Sequence, residues 1–290
     1  MSGYCGRVAP TPTGLLHIGH ALTFRKAFQR AREAGGRLVL RIEDLDPARC
    51  TREFADAAIE DLRWLGISWD EGPVFQSDRR AEYLRVWRHL RDGGWIYPCR
   101  RSRKDVASAS MAPHADEAIF PRDWRNDPAE ALAFSNPSGV NWRFRVPDGE
   151  RICFHDGNYG PVERVALQDF GDFVVWNRDD VPAYELAVVV DDIAGRITEI
   201  VRGADLLTST ARQILLYRAL REKPPGTFHT DLVVGPDGRR LAKRSGGWSL
   251  RELREQGLRP SDVESPEAWS AWISAWRGEA GSGTSPTPKA

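Results

Sequence analysis

Strand-forming and helix-forming stretches alternate at both ends of this 290-residue chain, and between the ends the alternation breaks. The run from Tyr4 to Ala9 reads as a strand, and Pro10-Thr11-Pro12-Thr13-Gly14 stops it with residues that cannot continue a ladder. Ile18, Ala21, Leu22, Phe24, Ala27, Phe28 and Ala31 then recur at helical spacing as far as Gly35-Gly36. Arg37 to Ile42 is a buried-strand pattern ending in the acidic turn Glu43-Asp44-Leu45-Asp46-Pro47, and a helix resumes near Thr51 and runs to Gly66. Strands that alternate with helices need crossover connections. They therefore predict an α/β fold with a parallel sheet whose ligands sit at the carboxyl ends of the strands.

A further helix is expected from Arg79 to Arg91. From about Cys99 to Gly139 the chain turns polar and Pro-punctuated, and short strands follow at Asn141 to Val146, Arg151 to His155 and Asp172 to Trp176, as in a small antiparallel module. The alternation then returns. Ala183 to Ile193 reads as a helix despite its Val-rich centre, Thr198 to Arg202 as a strand, Thr208 to Leu220 as a helix opened by Thr/Ser caps, and Phe228 to Val234 as a strand. Trp64, Trp69, Trp87 and Trp95 lie in apolar periodic stretches and are expected in the core.

Composition excludes several function classes. With 41 Lys+Arg against 41 Asp+Glu there is no bulk charge for coating a polyanion, so any RNA contact must be local and salt-sensitive. Arg100-Arg101-Ser102-Arg103-Lys104 and the segment Trp248 to Arg259 are the candidates for such contacts. No window approaches the roughly 20 apolar residues of a membrane helix, and the first residues lack a signal-peptide profile, so a cytoplasmic protein without membrane contact is expected. Cys5, Cys50, Cys99 and Cys153 never form a Cys-x-x-Cys pair, which fits scattered reduced thiols.

The chemistry concentrates where the first strand empties into the first helix, at Gly14-Leu15-Leu16-His17-Ile18-Gly19-His20. The unpaired N–H groups and positive dipole end of a helix attract phosphate, Gly19 lets a nucleotide approach the backbone, and His17 and His20 add donors. The same residues would also suit a capped helix with surface imidazoles. A metal is less well served, because no further Cys or acidic ligand stands at metal-site spacing.

The His-Ile-Gly-His run resembles the first signature of class I aminoacyl-tRNA synthetases, and Gly235-Pro236-Asp237-Gly238-Arg239-Arg240-Leu241-Ala242-Lys243-Arg244-Ser245 resembles their second, lysine-bearing loop. Arg240 and Ala242 depart from that second pattern, whereas Lys243 matches the lysine that neutralises the triphosphate in the transition state. Leu40-Arg41-Ile42-Glu43-Asp44-Leu45-Asp46-Pro47, Leu186-Ala187-Val188-Val189-Val190-Asp191-Asp192 and Val201-Arg202-Gly203-Ala204-Asp205 are similar to the glutamate-specific members, and the likeness covers roughly residues 4 to 250. It implies a class I Rossmann-like parallel sheet with an inserted α+β module and a small C-terminal helical region. The expected division is 1–97 and 183–227 for the two halves of the catalytic domain, 98–182 for the insertion, 228–280 for the signature loop and C-terminal module, and 281–290 for a disordered tail.

The resemblance also implies roles. Arg7 would pair with the side-chain carboxylate of glutamate, Glu43 would take the α-ammonium, and Ala9, Thr11, Tyr184 and Arg202 would line the amino-acid pocket. His17, Gly19 and Lys243 would attend ATP, with His17, His20 and Lys243 as the catalytic set and Mg²⁺ accompanying the nucleotide. Glutamate-charging members continue into a large anticodon-binding region, and this sequence ends about forty residues after the Lys243 loop. The expectation is therefore a shorter branch, acting as a monomer, that activates L-glutamate without tRNA and attaches it to queuosine in the anticodon of tRNA(Asp). Charging of tRNA(Glu) and a non-catalytic RNA-binding relative are the alternatives. That branch often carries zinc on a Cys-x-Cys pair, a tyrosine and another cysteine. Here Arg101, Phe120 and Trp124 stand where the later ligands would be, so no zinc is expected at Cys99, and Phe120 and Trp124 should pack in its place. A rerouted site would need Cys99, His114 and Cys153.

Overall fold

The structure is a computed structural model that describes residues 3–102, 104–106, 118–233 and 249–264. The chain begins with β1 (Cys5–Val8), α1 (Ile18–Glu33), β2 (Arg37–Ile42), α2 (Arg52–Trp64), β3 (Glu71–Phe75) and α3 (Arg80–Asp92). The strands β4 (Ile96–Cys99), β5 (Asn141–Phe144), β6 (Arg151–Asp156), β7 (Gly160–Val165), β8 (Phe173–Asn177) and β9 (Val181–Pro182) follow. Then come α4 (Tyr184–Ala194), β10 (Glu199–Gly203), α5 (Leu207–Ala219), β11 (Gly226–Thr230) and α6 (Leu250–Glu255).

Strands β1, β2 and β3 run parallel in that order. On the other edge of β1, Thr198 N–H donates to the Cys5 carbonyl (2.8 Å) and Cys5 N–H to Thr198 Oγ1 (2.8 Å), which sets β10 beside β1. β10 in turn pairs in parallel with β11. The chain thus leaves β1 toward one side of the sheet and returns later on the other. That reversal opens a crevice at the carboxyl ends of β1 and β10.

Two apolar cores hold this frame. Leu38, Leu40 and Ile42 of β2 pack with Ala21 and Phe24 of α1 and Leu62 of α2, and Leu250, Leu258 and Val263 from the far end of the described chain join them. The second core is built on Trp87, Trp142, Trp176 and Phe144, with Trp87 and Trp142 edge to face at 4.8 Å. Each such side chain contributes about 1.5–3 kcal/mol by its burial. α4 lies in this core with every residue from Glu185 to Asp192 buried, so packing on all faces outweighs the modest helix preference of its valines. Asp191 tightens it by accepting bonds from Gln76 (2.7 Å), Arg79 (2.6 Å) and the Tyr83 hydroxyl (2.8 Å).

Three expectations need correction. The strand at 151–156 does not belong with 141–144 and 173–177: β4, β5, β8 and β9 form one antiparallel sheet, while the β6–β7 hairpin adds to β11 through Thr227 and Asp156. α5 is not opened by a Thr or Ser cap, since its N-cap is Leu206 and Thr210 turns inward to other partners. Trp95 is 43% exposed, its ring stacked on Phe144, whereas Trp87 is fully buried and Trp64 and Trp69 are partly buried against the first core. Cys5, Cys50, Cys99 and Cys153 are all unbridged, and no described helix is long and apolar enough to cross a membrane.

Candidate active site

The crevice at the switch point is a cavity of about 500 Å³, and Arg7, Ala9, Thr11, Glu43, Tyr184 and Arg202 line it together with His17, Gly19 and His20. Its outer rim is the turn before α1. His17 is the N-cap of that helix, in extended conformation, and its Nδ1 accepts from Gly19 N–H (3.1 Å). His20 Nδ1 accepts from His17 N–H (3.3 Å), so the pair forms a capping box in which imidazoles replace the usual Ser and Glu. The rings stack with centroids 3.7 Å apart. With both Nδ1 atoms accepting, each neutral ring keeps its proton on Nε2, the atom that can donate to an anion. A Cβ at Gly19 would come within 3.1 Å of the His17 ring that caps the helix, so a larger residue there would crowd the cap.

The floor is a buried charge network. Arg41 on β2 donates to Asp192 (2.6 Å) and to Glu43 (3.1 Å). Burial works against its charge, but the two carboxylates hold it firmly protonated. Glu43 sits just past β2, where its N–H donates to the Pro10 carbonyl (3.0 Å) and its other carboxylate oxygen accepts from Thr11 Oγ1 (3.4 Å). Burial raises its pKa against the pull of Arg41 and Arg7, so an arriving ammonium would stabilise the ionised form. Arg7 donates to the Val201 carbonyl (3.0 Å), and its buried Nε faces Asp192 Oδ1 at 3.5 Å, an ion pair without a formed hydrogen bond. A buried guanidinium that lines a cavity and is only loosely paired is suited to a carboxylate ligand. On the opposite wall Arg202 donates to His229 Nε2 (3.2 Å), Thr210 Oγ1 (2.7 Å) and the Tyr184 hydroxyl (3.4 Å).

The arrangement offers cationic donors and the Glu43 carboxylate in a buried floor, with anion-directed groups at the rim, as an amino acid meeting a phosphorylated cosubstrate requires. The chain matches the family described as tRNA synthetases class I (E and Q), catalytic domain, over residues 5–263. This chain belongs to that family. The synthetases of this family use ATP to join an amino acid to tRNA. Among relatives, the synthetase is 44% identical over 272 residues to the glutamyl-Q tRNA(Asp) synthetase of Symbiobacterium thermophilum, covering 89% of this chain and 84% of that one. It is 42% identical over 270 residues to the protein of the same name from Nitratidesulfovibrio vulgaris, covering 89% and 83%. Its fold is similar to that of a glutamate tRNA ligase from Elizabethkingia meningosepticum solved with its amino acid, at a TM-score of 0.72 and 26% identity, covering 84% of this chain and 53% of that one.

Several residues of the synthetase's floor carried no role in the sequence: Arg41, Asp192, Thr210, Asp156 and His229. Arg41 and Asp192 stood inside quoted motifs, but their pairing spans 151 positions and has no local signal. Lys243 lies outside the described residues, as do Arg240, Ala242 and the tail at 281–290. The described chain reaches Val233, whose methyl would lie 3.9 Å from a Cβ at Gly19, and resumes at Ser249, which bridges to His17. Val233 and Ser249, the described residues that flank Lys243 in sequence, thus both lie near the histidine turn.

In the antiparallel region of the synthetase, Cys99 shares a small buried cluster with Tyr97, Val106 and Phe120. Phe120 meets Trp124 edge to face at 5.8 Å, and the Arg101 guanidinium covers the Trp124 ring at 4.6 Å. Among the described residues no three His, Cys, Asp or Glu side chains are grouped to hold a metal. Of the rerouted set, Cys99 is on β4 and exposed Cys153 on β6, in different sheets, and His114 lies outside the described residues. The basic segment near the C-terminal end is also engaged internally, with Arg251 on Glu60 (2.7 Å) and Asp61 (3.3 Å) and Arg254 on Glu60 (3.6 Å).

Proposed function

We propose that this synthetase activates L-glutamate with ATP in the absence of tRNA and transfers the glutamyl group to queuosine in the anticodon of tRNA(Asp), as a cytoplasmic monomer. The observation that carries the glutamate assignment is Arg7, a buried guanidinium that lines the same cavity as Glu43 and Arg202 and is held from behind only by the Val201 carbonyl and a long 3.5 Å ion pair to Asp192. In this reading the side-chain carboxylate of the substrate meets Arg7, its ammonium meets Glu43, and Tyr184 and Arg202 complete the pocket with Ala9 and Thr11. The α-carboxylate then points to the rim, where His17 and His20 present Nε2–H donors to the phosphates, Gly19 admits the nucleotide, and Mg²⁺ accompanies ATP. Lys243, between Val233 and Ser249, would neutralise charge as the mixed anhydride forms and pyrophosphate leaves. Residues 98–182 would contact the acceptor RNA. The names of the 42–44% identical relatives support tRNA(Asp) as the acceptor.

The test is glutamate-dependent exchange of pyrophosphate into ATP without tRNA, with aspartate and glutamine as controls, followed by transfer assays on queuosine-containing tRNA(Asp) and on tRNA(Glu). Exchange with glutamate alone and transfer only to tRNA(Asp) are expected. Exchange that appears only after tRNA(Glu) is added would replace this reading with tRNA(Glu) charging, and ATP binding without turnover would replace it with a non-catalytic role. Lys243→Ala is expected to lower exchange by about 100-fold or more while glutamate binding persists.

A further inference from the structure

Arg202 is held from behind by a buried pair that neither the motifs nor the pocket lining reveals. β10 and β11 run parallel with Arg202 opposite His229, so the two side chains leave neighbouring backbone positions. β6 then joins β11 at Thr227 and Asp156, which brings a carboxylate to the far side of the imidazole. Asp156 Oδ2 lies 2.6 Å from His229 Nδ1, and both side chains are fully shielded from solvent. Asp156 Oδ1 accepts the backbone N–H groups of Asn158 (3.0 Å), Tyr159 (3.1 Å) and His229 (3.2 Å). Burial alone would raise this carboxyl, but the imidazole and the three backbone donors bring it down to about 2, so it is ionised at neutral pH. An ionised acceptor at Nδ1 leaves the proton there and makes Nε2 the acceptor. Nε2 is the atom that receives Arg202 Nε–H at 3.2 Å, while Thr210 Oγ1, itself 3.1 Å from Nε2, receives a second Arg202 donor at 2.7 Å.

We propose that Asp156 and His229 are positioning residues that fix the plane of the Arg202 guanidinium, so that its edge beside Tyr184 is presented to a carboxylate of the amino-acid substrate. This rests on the reading of the cavity as the glutamate site. The physical advantage lies in where the counter-charge sits. Arg41 touches Asp192 and Glu43 directly and is neutralised by them, whereas Arg202 touches a neutral imidazole, with the aspartate one ring further away. Arg202 is therefore oriented without an anion in contact, and keeps its attraction for an incoming one. Burial, and then the charge of Arg202, lower the pKa of His229, which keeps Nε2 able to accept.

The experiment uses the full chain with His229→Leu, His229→Gln and Asp156→Asn, each alone and combined with Arg202→Ala. Glutamate-dependent pyrophosphate exchange gives KM for glutamate and for ATP, and calorimetry gives glutamate binding directly. His229→Leu is expected to raise KM and Kd for glutamate about ten- to hundredfold, the range for a lost bond to a charged group, with KM for ATP unchanged. Gln can still accept from Arg202, so His229→Gln should recover most of the loss. In the Arg202→Ala background any His229 substitution should add less than about twofold, because it acts only through Arg202. Asp156→Asn removes the ionised acceptor that holds the imidazole and should likewise raise KM and Kd for glutamate, so it decides by the same readouts if His229→Leu does not fold. Unchanged glutamate affinity in folded His229→Leu or, failing that, Asp156→Asn, equal losses for ATP and glutamate, or additivity with Arg202→Ala would overturn the proposal while leaving the glutamate site standing. Wild-type protein that neither binds glutamate nor exchanges with it would refute the site itself and the proposal with it.

Discussion

Asp172 and Arg7 are both buried charges, and their partners divide them. Asp172 precedes β8 and accepts from the Tyr97 hydroxyl (2.6 Å), Arg125 Nε (2.9 Å), Arg125 NH2 (2.7 Å) and Val146 N–H (3.0 Å). Its carboxylate is saturated by the protein. Arg7 on β1 donates to one backbone carbonyl at 3.0 Å, and its Nε meets Asp192 only at 3.5 Å, without a formed hydrogen bond. The Asp172 carboxylate is filled by short bonds from the protein, whereas Arg7 lines the cavity with a looser pairing and can still take a carboxylate ligand.

The comparison can be broken at either end. The largest effect on stability is expected from Asp172→Ala, which strands the Tyr97 hydroxyl, leaves Arg125 only Asp148 and the Val146 carbonyl, and should cost about 3 kcal/mol in urea unfolding while leaving KM for glutamate unchanged in the folded fraction. A glutamate defect without a stability loss would mean that this network belongs to the site after all. Arg7→Ala should do the reverse. Removing a charge-assisted contact should raise KM for glutamate about tenfold to a hundredfold, with little change in the unfolding midpoint. Unchanged affinity for glutamate would show that the Arg7 guanidinium does not meet the substrate.

A smaller effect comes from pH. His229 has a folded pKa below its ordinary 6.5, so the unfolded chain takes up the proton more readily and stability should decline as pH falls below about 6.5. Asp156 contributes stability that is present above its ordinary 3.8 and is lost as pH falls through about 2. Melting curves of the wild type and His229→Gln between about pH 7 and pH 5 should show the shallower slope in the variant, and parallel slopes would remove the neutral imidazole from the comparison. The smallest effect concerns metal. Dialysis against a chelator should leave the melting temperature unchanged and zinc far below one equivalent, with Phe120 and Trp124 packed beside Cys99. Stoichiometric zinc would place a metal centre in the region that the structure shows as an apolar cluster.

Much of the frame was legible because its signals are local. The proline-rich stop after β1, the periodic apolar face of α1 and the glycines that end it mark elements within a few turns of chain. The histidine turn was legible for the same reason: His17, Gly19 and His20 make their capping bonds with one another. Arg7, Glu43, Tyr184 and Arg202 were named through resemblance, and the structure brings all of them to one cavity. The hairpin at β6–β7 was misassigned because alternation reports which residues form a strand and not which strand is its neighbour. Thr/Ser caps are expected at the start of α5 because Thr or Ser near a helix start is a cap by default, but the helix begins at Leu207 and the arrival of β10 and β11 offers Thr210 Arg202 and His229 instead.

The sequence by itself determined the alternation of strands and helices, the anion-directed turn at His17 and the set of residues that belongs to a class I synthetase, because each of these is written in neighbouring positions. Only the tertiary structure decided which charges are completed by the protein and which are left for a ligand. Asp192 reaches Arg41 across 151 positions and Asp156 reaches His229 across 73. The first pair exists only once α4 has packed against β2, and the second only once β6 and β11 have settled into register, since it is packing and register that set which side chain stands beside which.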